Sequence, residues 1–475
     1  MNICIVHYHL KPGGVTRVIE HAASSLIALG HRVLVLASEK PTEDLSFAVR
    51  VVPALRYTLP NEKIDPGALA FEMKRVARAE FDALPDVWHI HNHCLGKNAA
   101  IPEAAAKLAL ERSVLLQIHD FAEDGRPANY ALLRSQLSDI SKLYPVGPQI
   151  HYAVLNGRDY QVLETAKLSK SNLHFLPNAV SVPQTTSSTE EVPEAKGRRL
   201  VLYPTRGIRR KNMGEFLLLA ALADSDTLLA STLGPANPTA RPIYDNWVDL
   251  ARELQIPVYF GLGEDGRDFG ALMSAADEII TTSVAEGFGL AFLEPWLFGK
   301  PLVGRDLPEV TGEFRDTGVN LDNLYGRFTV PLDWVGETEF RATLKHALEK
   351  YYQTYGESLP ENAEDRAFSA AVNSGMVDFG RLDERLQEIV IRRVVNDHKA
   401  RHALWGLMKP SLPQADVEKN QKTVLEHYSL DAYGQRLTAI YDAMIAQGSG
   451  GISNLPSDVI LKEFLKPERF CLLRT

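Results

Sequence analysis

Two glutamates with seven residues between them, and a cluster of cations upstream, are the parts of this sequence whose types and spacing could do chemistry. The string Ser283-Val284-Ala285-Glu286-Gly287-Phe288-Gly289-Leu290-Ala291-Phe292-Leu293-Glu294 puts Glu286 in a glycine-containing loop and Glu294 more than one helical turn further on. The two carboxylates can therefore address different parts of one ligand, while Gly287 and Gly289 open the backbone to it. Upstream, Tyr203-Pro204-Thr205-Arg206-Gly207-Ile208-Arg209-Arg210-Lys211-Asn212 follows an apolar run and gathers four cations beside a helix start. Arginine supplies a bidentate fork and lysine a compact charge, a combination suited to a leaving diphosphate whose negative charge grows as a bond breaks. A solvated basic turn is the plain alternative. The carboxyl edge of a strand favours the ligand reading, because open α/β sheets place ligands there.

A second glycine-rich turn, His9-Leu10-Lys11-Pro12-Gly13-Gly14-Val15-Thr16-Arg17, ends the first apolar run. Gly13 and Gly14 permit a tight turn and close backbone approach, and the helix that follows favours negative charge at its start. Alone, such a pair is more often ordinary turn chemistry than a ligand site. Further on, His89-Ile90-His91-Asn92-His93 would place three histidines on one face if extended. Without a carboxylate or Cys pair to complete a cage, no metal site is expected. Three formal motif matches are set aside. Asp224-Ser225-Asp226 precedes a strand instead of ending one. Gly261-Leu262-Gly263-Glu264-Asp265-Gly266 carries acidic residues that would repel pyrophosphate. Asp378-Phe379-Gly380 lacks the other kinase motifs.

The elements that must position these groups alternate along the chain. Apolar strand-like runs at Ile3 to Val6, His31 to Ala37, Val87 to Ile90, Val114 to Ile118, His151 to Val154 and His174 to Phe175 are separated by helical or loop segments. This βαβ rhythm implies a parallel, doubly wound sheet. Pro, Thr, Ser and Glu then crowd out apolar residues from Ser181 to Lys196, as in a linker. The rhythm restarts at Leu200 to Tyr203, Leu228 to Thr232, Val258 to Phe260, Glu278 to Thr281 and Pro301 to Val303. From about Phe340 the pattern reads as mostly helical, with a charged run from Asp383 to Trp405 to which no chemistry attaches. A last helix after Ser429 carries Leu430, Tyr433, Leu437, Ile440 and Met444 on one face.

With these elements in place, the string from Ser283 to Glu294 resembles the Glu-x7-Glu signature of retaining GT-B glycosyltransferases, glycosyltransferase family 4 in particular. Gly13-Gly14, the Arg206 to Lys211 spacing, Leu176-Pro177-Asn178 and the last amphipathic helix extend the likeness over nearly the whole chain, leaving out 448–475. The resemblance implies two Rossmann-like lobes facing a cleft: an acceptor-side lobe over 1–180, a linker over 181–198, a nucleotide-sugar lobe with a helical insert over 199–427, and a helix over 428–447 that crosses back. By the same resemblance Glu286 meets the hydroxyls of the transferred sugar, Glu294 takes the ribose diol, and N–H groups near Leu290 face phosphate. Gly13, Gly14, Gly287, Phe288 and Gly289 complete the donor site. His119, at the end of a strand, reaches the sugar near the reacting carbon, with Asp120 as its neighbour. Pro295 departs from the small residue usual there and is expected to kink its helix. Retention without a positioned nucleophile implies front-face displacement, with Arg206 and Lys211 holding the leaving diphosphate. Asn92, His93, Lys97, Asn98 and Arg126 form the expected acceptor rim, where Lys97 and Arg126 suggest a small anionic acceptor. The donor is expected to be UDP-glucose, another UDP-sugar or GDP-mannose, with no metal or other cofactor. A nucleotide-sugar epimerase on the same scaffold and a catalytically silent sensor are the alternatives.

Bulk properties agree with this class. A chain of 475 residues with 45% hydrophobic and 23% charged residues has room for two or three domains. A net charge of −9 argues against a general nucleic-acid binder. Cys4, Cys94 and Cys471 are too scattered for a zinc or redox motif, and their scarcity suits a reducing compartment. Neither a signal peptide nor a membrane span is expected. The basic helix after Pro66, with Lys74, Arg75 and Arg78, is diluted by Glu72, Glu80 and Asp82, so membrane association is not expected and a cytoplasmic location is.

Overall fold

A computed structural model describes residues 1–42, 44–181, 192–407 and 410–474. The chain divides into two units, Met1–Ala179 with His427–Lys466, and Val180–Glu426 with Pro467–Thr475. The expected linker falls mostly on 182–191, outside the described residues.

The first unit is built on a seven-stranded sheet. Its strands are β1 (Asn2–Val6), β2 (Arg32–Ala37), β3 (Ala48–Val51), β4 (Val87–His91), β5 (Ser113–Ile118), β6 (Ile150–Val154) and β7 (Leu173–Phe175), in the spatial order β3-β2-β1-β4-β5-β6-β7. Every pairing is parallel. β4 and β6 are buried along their whole length, as expected of a parallel strand covered on both faces. The helix Leu430–Gln447 starts on Ser429, whose side chain accepts from the N–H of Ala432, and seats Tyr433, Leu437, Ile440, Tyr441 and Met444 in one core with Ile19, Leu26 and Leu115. Gly434 lets this helix approach closely, since a Cβ there would lie 2.9 Å from Ser25. After 448, Ser453–Asn454 pairs with Pro145–Val146, and Phe464 packs on Phe121.

The second unit carries a five-stranded parallel sheet of β8 (Arg199–Arg206), β9 (Thr227–Leu233), β10 (Val258–Tyr259), β11 (Glu278–Thr281) and β12 (Leu302–Gly304), ordered β10-β9-β8-β11-β12. Two elements depart from the sequence reading. β3 was not expected, because three half-buried residues and the exposed Arg50 leave little periodicity. Within the region read as helical, Thr329–Pro331, Met376–Asp378 and Val372–Asn373 form a three-stranded antiparallel sheet. Its hairpin turns on Ser374 and Gly375, both at positive φ, which is the two-residue turn that matches strand twist. The charged run reads correctly as helix, Glu384–Asn396 and His398–Leu404, with Asp383 and Asp397 capping the two starts.

Candidate functional site

The cation cluster lies where β8 ends. Arg209–Lys211 forms a single helical turn, Asn212 turns back at φ +53, and the helix Met213–Leu222 begins. The turn is tied down through the carbonyl of Lys211, which accepts from the hydroxyls of Tyr203 and Thr282 at 3.0 Å each. The four cations then separate by task. Arg209 is drawn away into a bidentate pair with Glu384 at 2.5 and 2.8 Å, so it braces the charged helix. Arg210 donates to the carbonyl of Ala285 at 3.0 Å and lies 3.3 Å from Glu286. Lys211 bonds to Glu286 directly. Arg206 is exposed and has no ion-pair partner among the described residues.

Glu286 is the hub of this group. Burial alone would raise its carboxyl, but the charges of Lys211 and Arg210, with hydrogen bonds from Lys211 and from the Ser283 hydroxyl at 2.6 Å, outweigh burial and hold it below its ordinary range. Lys211 is lowered by the same burial, with Glu286 opposing, and Glu294 adds its charge to the lysine's surroundings. Glu294 opens the short helix Glu294–Leu297. Pro295 lies in its first turn, where no donor is lost, so the expected kink does not arise. Phe288 is buried with its ring edge-on to Phe314, which leaves only its backbone for a ligand, whereas Leu290 is 41% exposed.

The glycines of this loop differ. Gly289 has φ +92 and a Cβ there would lie 2.6 Å from Val310, whereas a Cβ on Gly287 meets nothing within 4 Å. Gly289→Ala should therefore cost about 1–3 kcal/mol, read as a lower Tm together with weaker nucleotide binding. Gly287→Ala should leave Tm unchanged.

Beneath the loop, Arg305 bonds Glu215 (Nε at 2.9 Å) and Asp378 (2.8 and 3.0 Å), all three buried, and the Tyr325 hydroxyl closes on Glu215 at 2.8 Å. This network roots the helix that follows Lys211 and gives Asp378-Phe379-Gly380 a structural role. A cavity of about 270 Å³, lined by Arg199, Glu278 and Trp405 among others, opens at the opposite edge, where β8, β9 and β11 begin. Its lining includes Asp224 and none of the residues of the Arg206–Lys211 and Glu286–Glu294 segments.

In the first unit, the helix Gly14–Ala28 starts directly after Gly13, and a Cβ on Gly14 would meet nothing within 4 Å. His119 follows β5, is 8% exposed, and shares a 2.8 Å hydrogen bond between its Nε2 and Nδ1 of His91. Burial pulls its pKa down to about 4, with Asp120 opposing. The acceptor rim needs correction at three positions. Asn92 is buried at φ +56, and its Oδ1 accepts from the N–H groups of His119 (2.7 Å) and Asp120 (3.1 Å), so it is a brace. That left-handed residue also ends β4 and turns His93 away from His89 and His91. His93 is buried edge-on to Tyr144 and Tyr152, so the three histidines do not share a face. Asn98 is buried, donating to the carbonyls of Ala54 and Arg56 and accepting from Ala100 N–H. Lys97 and Arg126 remain available to solvent. Lys97 Nζ lies 5.5 Å over the ring of Tyr57, and Arg126 pairs with Asp120 at 2.6 Å. Among the described residues no three His, Cys, Asp or Glu side chains gather where a metal ion could be held.

Residues 13–144 match the family described as a glycosyl transferase 4-like domain. The whole chain is similar to the mannosylglucosyl-3-phosphoglycerate synthase of Petrotoga mobilis, 26% identical over 99% of each protein. Among solved structures, HepE of Anabaena in complex with UDP and glucose aligns with a TM-score of 0.53 at 14% identity, over 93% of this chain and all of that one. Sucrose-phosphate synthase from Thermosynechococcus elongatus aligns with a TM-score of 0.51 at 14% identity, over 94% and 99%. The chain has the GT-B fold.

In this GT-B fold each motif lies at the carboxyl edge of its own sheet: Gly13, Gly14 and His119 in one unit, Arg206, Lys211 and Glu286 in the other. The sequence reading missed Tyr57 and His9, whose hydroxyl and Nε2 meet at 3.0 Å beside Lys97, and Ser283, which orients Glu286. Ser283 sits inside the quoted string and was legible in principle. Tyr57 carries no local signal at all. The basic helix Pro66–Phe81 spends its charges on Glu72 and Glu111, and no described helix is long and apolar enough to cross a membrane.

Proposed function

We propose that this protein moves a hexose from a nucleotide-diphosphate sugar to a hydroxyl of a small anionic acceptor, with retention of anomeric configuration and without a metal. The observation that carries the proposal is the group at the end of β8. Arg210 and Lys211 converge on Glu286, Arg206 is exposed at the same strand end, and Glu294 lies within electrostatic reach of Lys211, so three cations face two carboxylates and the surplus positive charge suits a sugar-linked diphosphate. In this reading 199–427 binds the donor and 1–180 the acceptor, and the leaving diphosphate oxygen takes the acceptor's hydroxyl proton on the face from which it departs. The solved complexes of HepE with UDP-glucose and with UDP and glucose support a hexosyl donor of the UDP-glucose kind, and the mannosyl in the relative's name keeps GDP-mannose beside it. That relative's named product carries a phosphate and a carboxylate, which supports an anionic acceptor gripped by Lys97 and Arg126. A cytosolic pool of nucleotide sugar would supply the reaction.

The test is incubation with radiolabelled UDP-glucose or GDP-mannose and glucosylated or free phosphoglycerate, with and without chelator. An acceptor-dependent product with the donor's anomeric configuration, read from its NMR coupling, is expected in both conditions. An isomerised donor without acceptor would make the protein an epimerase, and binding without turnover a sensor. Lys97→Ala and Arg126→Ala should each raise the KM of the acceptor about 10- to 100-fold, the size of a lost charge-assisted hydrogen bond, and leave the KM of the donor within threefold. An unchanged acceptor KM would remove that residue from the site.

A further inference from the structure

We infer that His91 is a positioning residue that fixes His119 in its Nδ1–H tautomer, so that His119 meets the substrate as a hydrogen-bond donor. The inference rests on the reading of His119 as a residue that touches the transferred sugar. The rings of His91 and His119 are nearly parallel, at 12°, with centroids 5.1 Å apart and Nδ1 to Nε2 at 2.8 Å. The centroid separation is that nitrogen distance plus one ring radius on each side, so the rings lie edge to edge in one plane. A lone pair and an N–H then point straight at each other, the favoured alignment.

The proton's place follows from the other nitrogens. A neutral imidazole carries one N–H. Were it His119 Nε2–H that donated, His91 would have to carry its own proton on Nε2. That atom is fully buried and has no hydrogen-bond partner among the described residues. A buried N–H without an acceptor is rarer and more costly than a buried lone pair without a donor. His91 therefore donates from Nδ1, His119 accepts at Nε2, and the one proton of His119 sits on Nδ1. Both rings stay neutral near pH 7. Burial holds His91 well below its ordinary range, aided by the neighbouring His89, His119 and His7, and burial also lowers His119, with Asp120 opposing. His89 braces the arrangement from behind, stacked on His91 at 4.4 Å and held by Gln117 and by the Tyr441 hydroxyl at 2.8 Å each. Nδ1 of His119 has no hydrogen-bond partner among the described residues and is not enclosed as the His91 nitrogen is.

A ring so fixed offers a donor to an oxygen of the sugar and no free lone pair to receive a proton. His119 is thus excluded as the base that deprotonates the acceptor hydroxyl, and the proton is left to the departing diphosphate oxygen.

The test begins with the ligand-free full chain labelled with 15N-histidine. Two-bond 1H–15N correlations report the tautomer of each ring, and His119 is assigned by the signals missing from His119→Ala. The expected pattern is Nδ1–H for both His91 and His119, unchanged from pH 8 to pH 5.5. An Nε2–H pattern for His119, or titration within that range, overturns the inference from the wild-type protein alone. His91→Leu should release the tautomer and lower kcat about tenfold, the loss of one well-placed hydrogen bond. His91→Asn, whose amide N–H can stand where Nδ1–H stood, should restore the pattern and most of the rate. A purely structural role would move neither the tautomer nor the rescue. If the tautomer is as expected but His119→Ala leaves kcat/KM unchanged, the placement of His119 against substrate fails while the role of His91 in setting its tautomer stands.

Discussion

Lys211→Ala should lower kcat by about 100- to 1000-fold, the range found when a preorganised group facing developing negative charge is removed, while the KM of the acceptor changes by less than threefold. In the proposed reaction the diphosphate gains charge as the glycosidic bond breaks, and Lys211 is held where that charge appears by two hydroxyl bonds to its own carbonyl. Near-normal turnover would remove Lys211 from the chemistry.

The same substitution has a second consequence, because the partner of Lys211 is buried. The side chains of Lys211 and Glu286 are 14% and 9% exposed, so removing the lysine leaves a carboxylate with only Arg210 and Ser283 to satisfy it. Breaking such a pair from one side costs about 3–5 kcal/mol. Adding Glu286→Gln to Lys211→Ala removes the uncompensated charge and should recover most of the lost Tm without recovering turnover. A double variant that regained both would mean that the single variant was slow because it was partly unfolded. Denaturant melts and kcat on the four proteins of this cycle separate the outcomes.

How much of this was legible depended on range along the chain. Strands β1, β2, β4, β5, β6 and β8 announce themselves, because a strand buried on both faces is dominated by apolar residues, with His89, His91, Gln117 and His151 interrupting β4, β5 and β6. Glu286, Glu294 and Lys211 were legible for a related reason: each lies within a few residues of the turn that presents it. What could not be read is whatever depends on a partner far along the chain. Arg209 looked like one more phosphate ligand until Glu384, 175 positions away, claimed it. Arg305, Glu215 and Asp378 come from three separate segments and show nothing unusual in any of them. Asn92, His93 and Asn98 have the composition of a polar binding loop, yet all three are buried: Asn92 and Asn98 spend their amides on backbone groups, and His93 packs between Tyr144 and Tyr152. Polarity in a loop thus marks a need for hydrogen bonds, and only burial tells whether the protein or a ligand meets that need.

Acidification from pH 7 to 4.5 should unfold the first unit before the second. In the first unit burial lowers His7, His89 and His93 to about 3 and His119 to about 4, because the low-dielectric interior disfavours the cation. In the unfolded chain each returns to about 6.5. Between those values the unfolded state binds more protons, so the stability these groups contribute is full above pH 6.5 and is lost as pH falls. Each histidine removes about 1.4 kcal/mol per pH unit. Four of them over two units amount to on the order of 10 kcal/mol, comparable to the whole stability of a domain. Glu123 and Asp159 act in the other direction: burial raises both, Glu123 to about 7, so the folded state gains from their protonation, but they are outnumbered by the buried histidines, to which His91 also belongs. In the second unit His346, His398 and His402 are exposed, and the lowered carboxyls of Glu286 and Asp378 lose their contribution only at and below the ordinary carboxylate range. Calorimetry at stepped pH should show one transition moving steeply downward while the other stays. His93→Phe, placed between Tyr144 and Tyr152, should make that descent shallower by about 1.4 kcal/mol per pH unit. Two transitions that move together, or a slope that His93→Phe leaves unchanged, would mean that the buried histidines of the first unit do not set its acid sensitivity.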